Sequence, residues 1–263
     1  MSTFASTVTD SATMLRRNLR HMRRYPSLTL LIIGMPVIFL LLFVYVFGST
    51  LGAGLGVVSG GRSAYVNYVA PGIILLTVAA AAQGTAISVA MDMTEGIIAR
   101  FRTMAIARAS VLTGHVLGSM IQSLLSTAIV IGVALLVGFR PTAGPLAWIA
   151  AIGVVAMFSF AVIWLSVALG LVSKSVETAS NLPMFLMLLP FLGSGFVPTG
   201  SMPAGVRWFA EYQPFTPMIE TLRGLLMGTP IGHSGVLTVA WCAGITLGGY
   251  IWAKALYNRD PAR

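Results

Sequence analysis

Apolar residues fall in six long blocks: Leu28 to Phe47, about Val66 to Met91, about Val116 to Val137, residues 147–172 following Pro145, Ala179 to about Val197, and about Val236 to Leu256. Roughly 20 apolar residues cross the hydrocarbon of a bilayer as a helix. Each block approaches that length, and none carries an acidic or basic residue in its middle. Pro26 opens the first and Gly48 closes it, and the fifth contains Pro183 and Pro190. The pattern predicts an all-α integral membrane protein with six transmembrane helices, forming a single transmembrane domain over 1–263.

Three other segments have a pattern of their own. Phe4, Val8, Leu15, Leu19 and Met22 recur at helical steps within residues 1–27, flanked by Arg16, Arg17, Arg20, Arg23 and Arg24. This predicts an N-terminal amphipathic interfacial helix; the plainer reading is a basic flank that sets orientation. It is not a secretory signal, because a long polar stretch precedes the first apolar block. Between blocks two and three, Asp92 to Arg108 places Ile97, Ile98 and Phe101 on one edge of a short helix, with Arg100 and Arg102 elsewhere on the turn. Docking on a partner and resting on the bilayer both fit that spacing. Between blocks five and six, Pro198 to Ser234 predicts two short helices. Pro203 opens one, with Arg207 and Glu211 paired four apart. Thr216 before Pro217 predicts an N-cap for the other, which carries Glu220 and Arg223 and stops at Gly228. Trp208, Phe209, Tyr212 and Phe215 favour an interface. The expectation is an outer re-entrant helical hairpin, with an ordinary capped loop as the alternative.

Charge sets orientation. The chain has 263 residues, 57% hydrophobic and 9% charged, with a formal charge of +9. So little charge cannot solvate a globular surface, so the basic excess points to lipid headgroups and topology and away from nucleic acid. With the N-terminus inside, twelve of the 16 basic residues fall on the cytoplasmic side and four, Arg62, Arg140, Arg207 and Arg223, on the outer side. That asymmetry predicts both termini in the cytoplasm.

The chemistry-bearing residues are sparse. The seven acids are scattered, and His21, His115 and His233 lie far apart, each read as a surface or interface residue. Cys242 is the sole cysteine, so no metal site, catalytic site or disulfide is expected. There is no Gly-rich phosphate loop ending in Gly-Lys-Ser/Thr, so ATP, if used, binds another chain. No charged pair within the spans argues for ion coupling. Gln83, Asn181, Met184, Met187 and Phe191 are candidates for a substrate path, since uncharged polar groups and adaptable methionine and aromatic faces suit varied apolar ligands. The alternative is ordinary helix packing and hydrogen bonding.

Several short runs carry a resemblance. They are Tyr68-Val69-Ala70-Pro71-Gly72-Ile73, Glu95-Gly96-Ile97-Ile98-Ala99-Arg100-Phe101-Arg102, Arg108-Ala109-Ser110-Val111-Leu112-Thr113-Gly114, Gly195-Phe196-Val197-Pro198, Met202-Pro203, Gln213-Pro214-Phe215-Thr216-Pro217 and Glu220-Thr221-Leu222-Arg223-Gly224-Leu225-Leu226. In this order, with six blocks, the chain resembles the membrane subunit of a type 2 ABC exporter of the daunorubicin-resistance permease group. It departs at Thr103-Met104-Ala105, where that group more often has a proline.

The resemblance implies a mechanism. Glu95, Gly96, Ile97, Arg100, Phe101 and Arg102 would form the cytoplasmic coupling helix gripping a separate ABC ATPase. Two ATPases and two permeases, identical or homologous, would assemble in the bacterial plasma membrane, with ATP and Mg bound by the partner ATPase. Pro217, Glu220 and Arg223 would belong to an outer hairpin that gates or shapes the exit. The implied substrate is a hydrophobic or amphiphilic drug or antibiotic. A lipid, glycolipid or cell-wall precursor is the alternative, and a non-transporting membrane anchor is the alternative of another class.

Overall fold

The structure is a computed structural model that describes residues 26–53, 61–94 and 108–258. The described residues are helical throughout, joined by turns. Helix α1 spans Pro26–Leu41 and passes through a π-helical turn, Leu42–Val46, before α2, Gly48–Ala53. Then come α3, Gly61–Thr94; α4, Arg108–Val137; and α5, Pro145–Val172. The short α6, Val176–Asn181, and α7, Met184–Leu188, follow. Helices α8, Ala204–Tyr212, and α9, Phe215–Met227, precede α10, Ser234–Asn258.

Four described helices are long and apolar enough to cross a membrane: α3, α5, Leu112–Val137 of α4 and Ser234–Tyr257 of α10. The first apolar block makes a shorter helix, Leu30–Val46. The fifth is broken. Pro183 lacks an amide proton and follows the end of α6, and residues 189–197 beyond α7 run as turns around Pro190. The N-terminal amphipathic segment and the segment holding Glu95, Gly96, Ile97, Arg100, Phe101 and Arg102 lie outside the described residues.

Helix α3 is the axis of the bundle. It packs against α1, α2, α4, α5, α6, α7 and α9, and nearly every residue from Val69 to Ala82 is buried. Helix α10 lies along α5 and also meets α9. Because lipid offers no hydrophobic drive between helices, close approach relies on small residues. A Cβ on Gly72 would stand 2.7 Å from the carbonyl oxygen of Gly195, and one on Gly249 would stand 2.7 Å from the backbone nitrogen of Leu165.

The two helices expected between blocks five and six are present, with one correction at the start of the second. Thr216 is not its N-cap. Helix α9 begins at Phe215, and the Gln213 side-chain oxygen accepts from the Phe215 amide at 3.0 Å. Thr216 already lies in the first turn, where its hydroxyl is free to serve another segment. The helix ends as expected at Gly228, whose φ of 71° is the left-handed conformation that favours glycine.

Candidate functional site

Arg223 lies two turns into α9, on the face turned towards α3. Its guanidinium stacks 3.9 Å from the centre of the Tyr68 ring. It donates to the Ser194 carbonyl at 2.7 Å and to the Tyr68 carbonyl at 3.2 Å. The Tyr68 hydroxyl donates to that same Ser194 carbonyl at 3.0 Å. One carbonyl of the broken fifth block therefore takes protons from two other elements.

Proline chemistry creates the need for this arrangement. Residues 189–197 run as turns, so their carbonyls lack helical partners, and a bare carbonyl in a membrane protein is costly. The hairpin supplies the donors. Gln213 donates to the Leu189 carbonyl at 3.2 Å and to the Thr216 hydroxyl at 3.0 Å, and that hydroxyl accepts from the Ser194 amide at 3.2 Å. Tyr65 donates to the Phe196 carbonyl at 3.2 Å. Burial pulls the Arg223 guanidinium below its ordinary value, against Tyr68 and Glu220, which favour its charge. An arginine keeps its proton regardless. The result is a fixed cation holding α3, the broken block and α9 together.

The structure distributes the other candidates unevenly. Pro217 is buried in the first turn of α9. Glu220 accepts from the Ser234 hydroxyl at 2.8 Å and so ties α9 to the start of α10. Gln83 donates to the Ser180 carbonyl at 2.7 Å, fastening α3 to α6. Phe191 stacks on Phe196 at 4.3 Å and meets the Phe39 ring of α1 edge-on at 5.4 Å. Met187 packs beside Ile32, Ala80 and Ala81. Asn181 and Met184 are exposed, as are Phe185 and Leu188. Gln83, Met187 and Phe191 thus pack within the bundle, whereas Asn181 and Met184 are exposed.

The far end of α3 carries a second polar contact. Asp92 lies 24 residues beyond Tyr68, about 36 Å at 1.5 Å per residue. Its carboxylate is 3.0 Å from Nε2 of His115 in α4. Both side chains are nearly buried, so of the two readings for His115, surface or interface, the structure supports an interface between α3 and α4. An acid and a histidine at facing ends of two apolar blocks were visible in the sequence, but spacing alone did not pair them. Tyr68, Ser194 and Gln213 also escaped site selection, because carbonyl-directed contacts leave no signature in residue types.

The four arginines that the loop pattern assigns to the outer side are all engaged. Arg62 lies 4.9 Å from the Tyr45 ring, Arg140 donates to the Leu135 and Phe139 carbonyls at the end of α4, and Arg207 pairs with Glu211 at 2.7 Å. Arg223 is held as described.

Long apolar helices around a buried, carbonyl-clamped α3 define a polytopic membrane protein whose polar chemistry serves architecture. The chain matches the ABC-2 type transporter family over residues 10–227 and belongs to that family. It is similar to a daunorubicin resistance ABC transporter permease protein of Streptomyces coeruleorubidus, 29% identical over 226 residues that cover 86% of this chain and 77% of the relative. A probable doxorubicin resistance ABC transporter permease protein of Mycobacterium tuberculosis is 26% identical over 174 residues, covering 65% and 63%. The chain is an ABC-2 permease subunit, homologous to drug-resistance exporter permeases, and works in a membrane with an ATPase partner.

Proposed function

We propose that this chain moves a hydrophobic or amphiphilic drug or antibiotic out of a bacterial cell, as one of two permeases driven by two ATPase subunits that bind ATP and Mg. Six membrane crossings with both termini in the cytoplasm, within one domain spanning 1–263, fit the distribution of basic residues. In this reading the segment from Asp92 to Arg108 docks on the ATPase through Glu95, Gly96, Ile97, Arg100, Phe101 and Arg102. The single observation that carries the mechanical part is the Asp92–His115 pair at 3.0 Å. It holds the ends of α3 and α4 together on either side of that segment, so a push on the segment is passed to both helices. At the opposite end, Arg223 holds the hairpin against the broken block and Glu220 ties it to α10, with Pro217 in the first turn of α9, where an exit would form. Drug export comes from the resistance permeases to which the chain is similar. Lipid or glycolipid export, or a non-transporting anchor, remain the competing readings.

The test is a pull-down of the tagged chain, solubilised in detergent from its native membrane, with mass spectrometry of the co-purifying proteins. Recovery of a Walker-motif ATPase, lost when Glu95 to Arg102 is scrambled, supports the coupling assignment. Failure to recover any ATPase where a known ABC complex survives overturns it.

A further inference from the structure

A slot of about 330 Å³ runs down the flank of the bundle between α4 and α5. Its α4 wall is built on Leu124, Ala128 and Ile131, and its α5 wall runs from Trp148 to Val155. Ala128 and Ile152 belong both to the walls and to the outer surface, so the slot opens sideways between the two helices. Buried Ile74, Leu222 and Leu226 close its back. Leu124 and Ile131 are seven residues apart, as are Trp148 and Val155, which is about 10 Å along a helix axis. The long dimension therefore follows the helices, as acyl chains do in a bilayer. The walls are hydrocarbon almost throughout, and the Thr127 oxygen on them is buried out of reach.

A cation stands at one end of the slot. Leu124, Ala128, Ile131 and Leu135 recur at steps of four, three and four, so they form one stripe of α4. The exposed Arg140 reaches back over the last residue of that stripe, where its Nη1 donates to the Leu135 carbonyl at 2.6 Å and to the Phe139 carbonyl at 2.9 Å. Trp148 lies at the same end. Ser123 meets Ser159 at 3.0 Å, and eleven residues on in α4 and eleven back in α5 bring Ala134 level with Trp148. Nη1 has committed its protons to carbonyls, which leave the charge unneutralised. Nε and Nη2 form the edge that grips a phosphate with two parallel bonds, and they have no partner among the described residues.

We propose that the slot and Arg140 together hold one phospholipid of the leaflet at the hairpin end, with an acyl chain in the slot and the phosphate on the guanidinium. A compact apolar drug would fill the slot and leave the charge above it unanswered. A second copy of this chain has no carboxylate to spare, because the described acids at this end, Glu211 and Glu220, are held by Arg207 and by the Ser234 hydroxyl. Phosphate is the anion that a bilayer itself presents at the ends of its helices. Such a site requires only a membrane and is independent of what the chain transports.

The full-length chain, purified in lipid-free detergent micelles, is titrated with two lipids brominated in the upper half of their chains, a phosphatidylglycerol and the diacylglycerol with the same chains. Quenching of Trp148 fluorescence, read as the difference from Trp148→Phe, should saturate with both. The phosphatidylglycerol should bind about tenfold tighter, as a charged hydrogen-bonded pair gives. Arg140→Gln, which keeps an amide donor without the charge, should remove that preference and leave diacylglycerol binding unchanged. Ala128→Phe, which fills the slot from its exposed side, should abolish saturable quenching by both lipids. Gly153→Phe, on open surface of α5 outside the slot, should change neither. If Arg140→Gln does not fold, high salt screens the pair in the native sequence and should narrow the preference instead. Quenching that rises linearly with lipid, a preference unreduced by Arg140→Gln or by salt, saturable quenching that survives Ala128→Phe, or no quenching at all, as a second copy covering the flank would give, overturns the proposal.

Discussion

Arg223 does two things that a different cation cannot do together. Its planar fork reaches two carbonyls on different elements while its face lies on the Tyr68 ring. Arg223→Ala leaves the Ser194 carbonyl with the Tyr68 hydroxyl and takes from the Tyr68 carbonyl its guanidinium donor. The expected loss is about 2–4 kcal/mol, from charged hydrogen bonds and a partly desolvated cation–π contact. It should read as a lower melting temperature of the detergent-purified chain. Arg223→Lys should recover less than half of that loss, and full recovery would mean that charge alone is what the site requires. Gly72 makes a second residue-scale case. Gly72→Ala drives a methyl group into the Gly195 backbone, so it should destabilise by about 1–3 kcal/mol, as overpacking does. Gly153→Ala is the control, because a Cβ there meets nothing within 4 Å. It should be neutral or mildly stabilising, since alanine is the better helix former. Equal melting temperatures for the two variants would refute the close approach.

Elements are joined in this bundle by polar contacts at their ends and by packing in between. Asp92 and His115 tie the end of α3 to the start of α4, and Gln83 ties α3 to α6. The loop after α4 is fixed by the Thr142 amide, which donates to the Leu226 carbonyl at 3.0 Å, and by the Arg140 amide, which donates to the Asn67 side chain at 2.9 Å. His115→Ala removes a donor from a nearly buried carboxylate, and losing a hydrogen bond to a charged group costs about 1.5–3 kcal/mol. It should lower thermal stability by several degrees. If the pair also transmits motion, drug efflux should fall further than ATPase activity in the assembled transporter. A parallel fall in both would assign the pair to stability alone. The exposed face of α8, with Trp208 and Tyr212, has no described partner of comparable size and suits a membrane interface.

At the scale of the molecule, the two polar clusters divide the bundle into two ends. The hairpin end gathers Tyr68, Arg140, Ser194 and Arg223, and the other end holds Asp92 and His115. In the proposed topology four basic residues lie on the outer side, and all four are engaged within the bundle. Each is held by a ring, a carboxylate or carbonyls, so each acts as a structural cation. If the proposed topology holds, reporter fusions at Arg62 and Arg140 should read as outside the cell, and a fusion after Lys174 as inside. A cytoplasmic signal at Arg62 or Arg140 would overturn the topology.

The sequence by itself determined membrane residence, the helical class, the positions of the apolar blocks and the helical segments of the hairpin region. Those properties depend on local composition and periodicity, which any short window of the chain displays. It also carried the family runs, although not the reason they belong together. Only the tertiary structure brought Tyr68, Gly72, Gly195, Gln213 and Arg223 into one cluster. The contacts run to backbone carbonyls freed by the broken fifth block, and a carbonyl looks the same at every position of a sequence. The structure likewise decided that Thr216 serves Ser194 while Gln213 caps α9, and that His115 is buried on Asp92. In each case the partner that wins is set by which helices meet in space, a long-range fact that residue spacing does not encode.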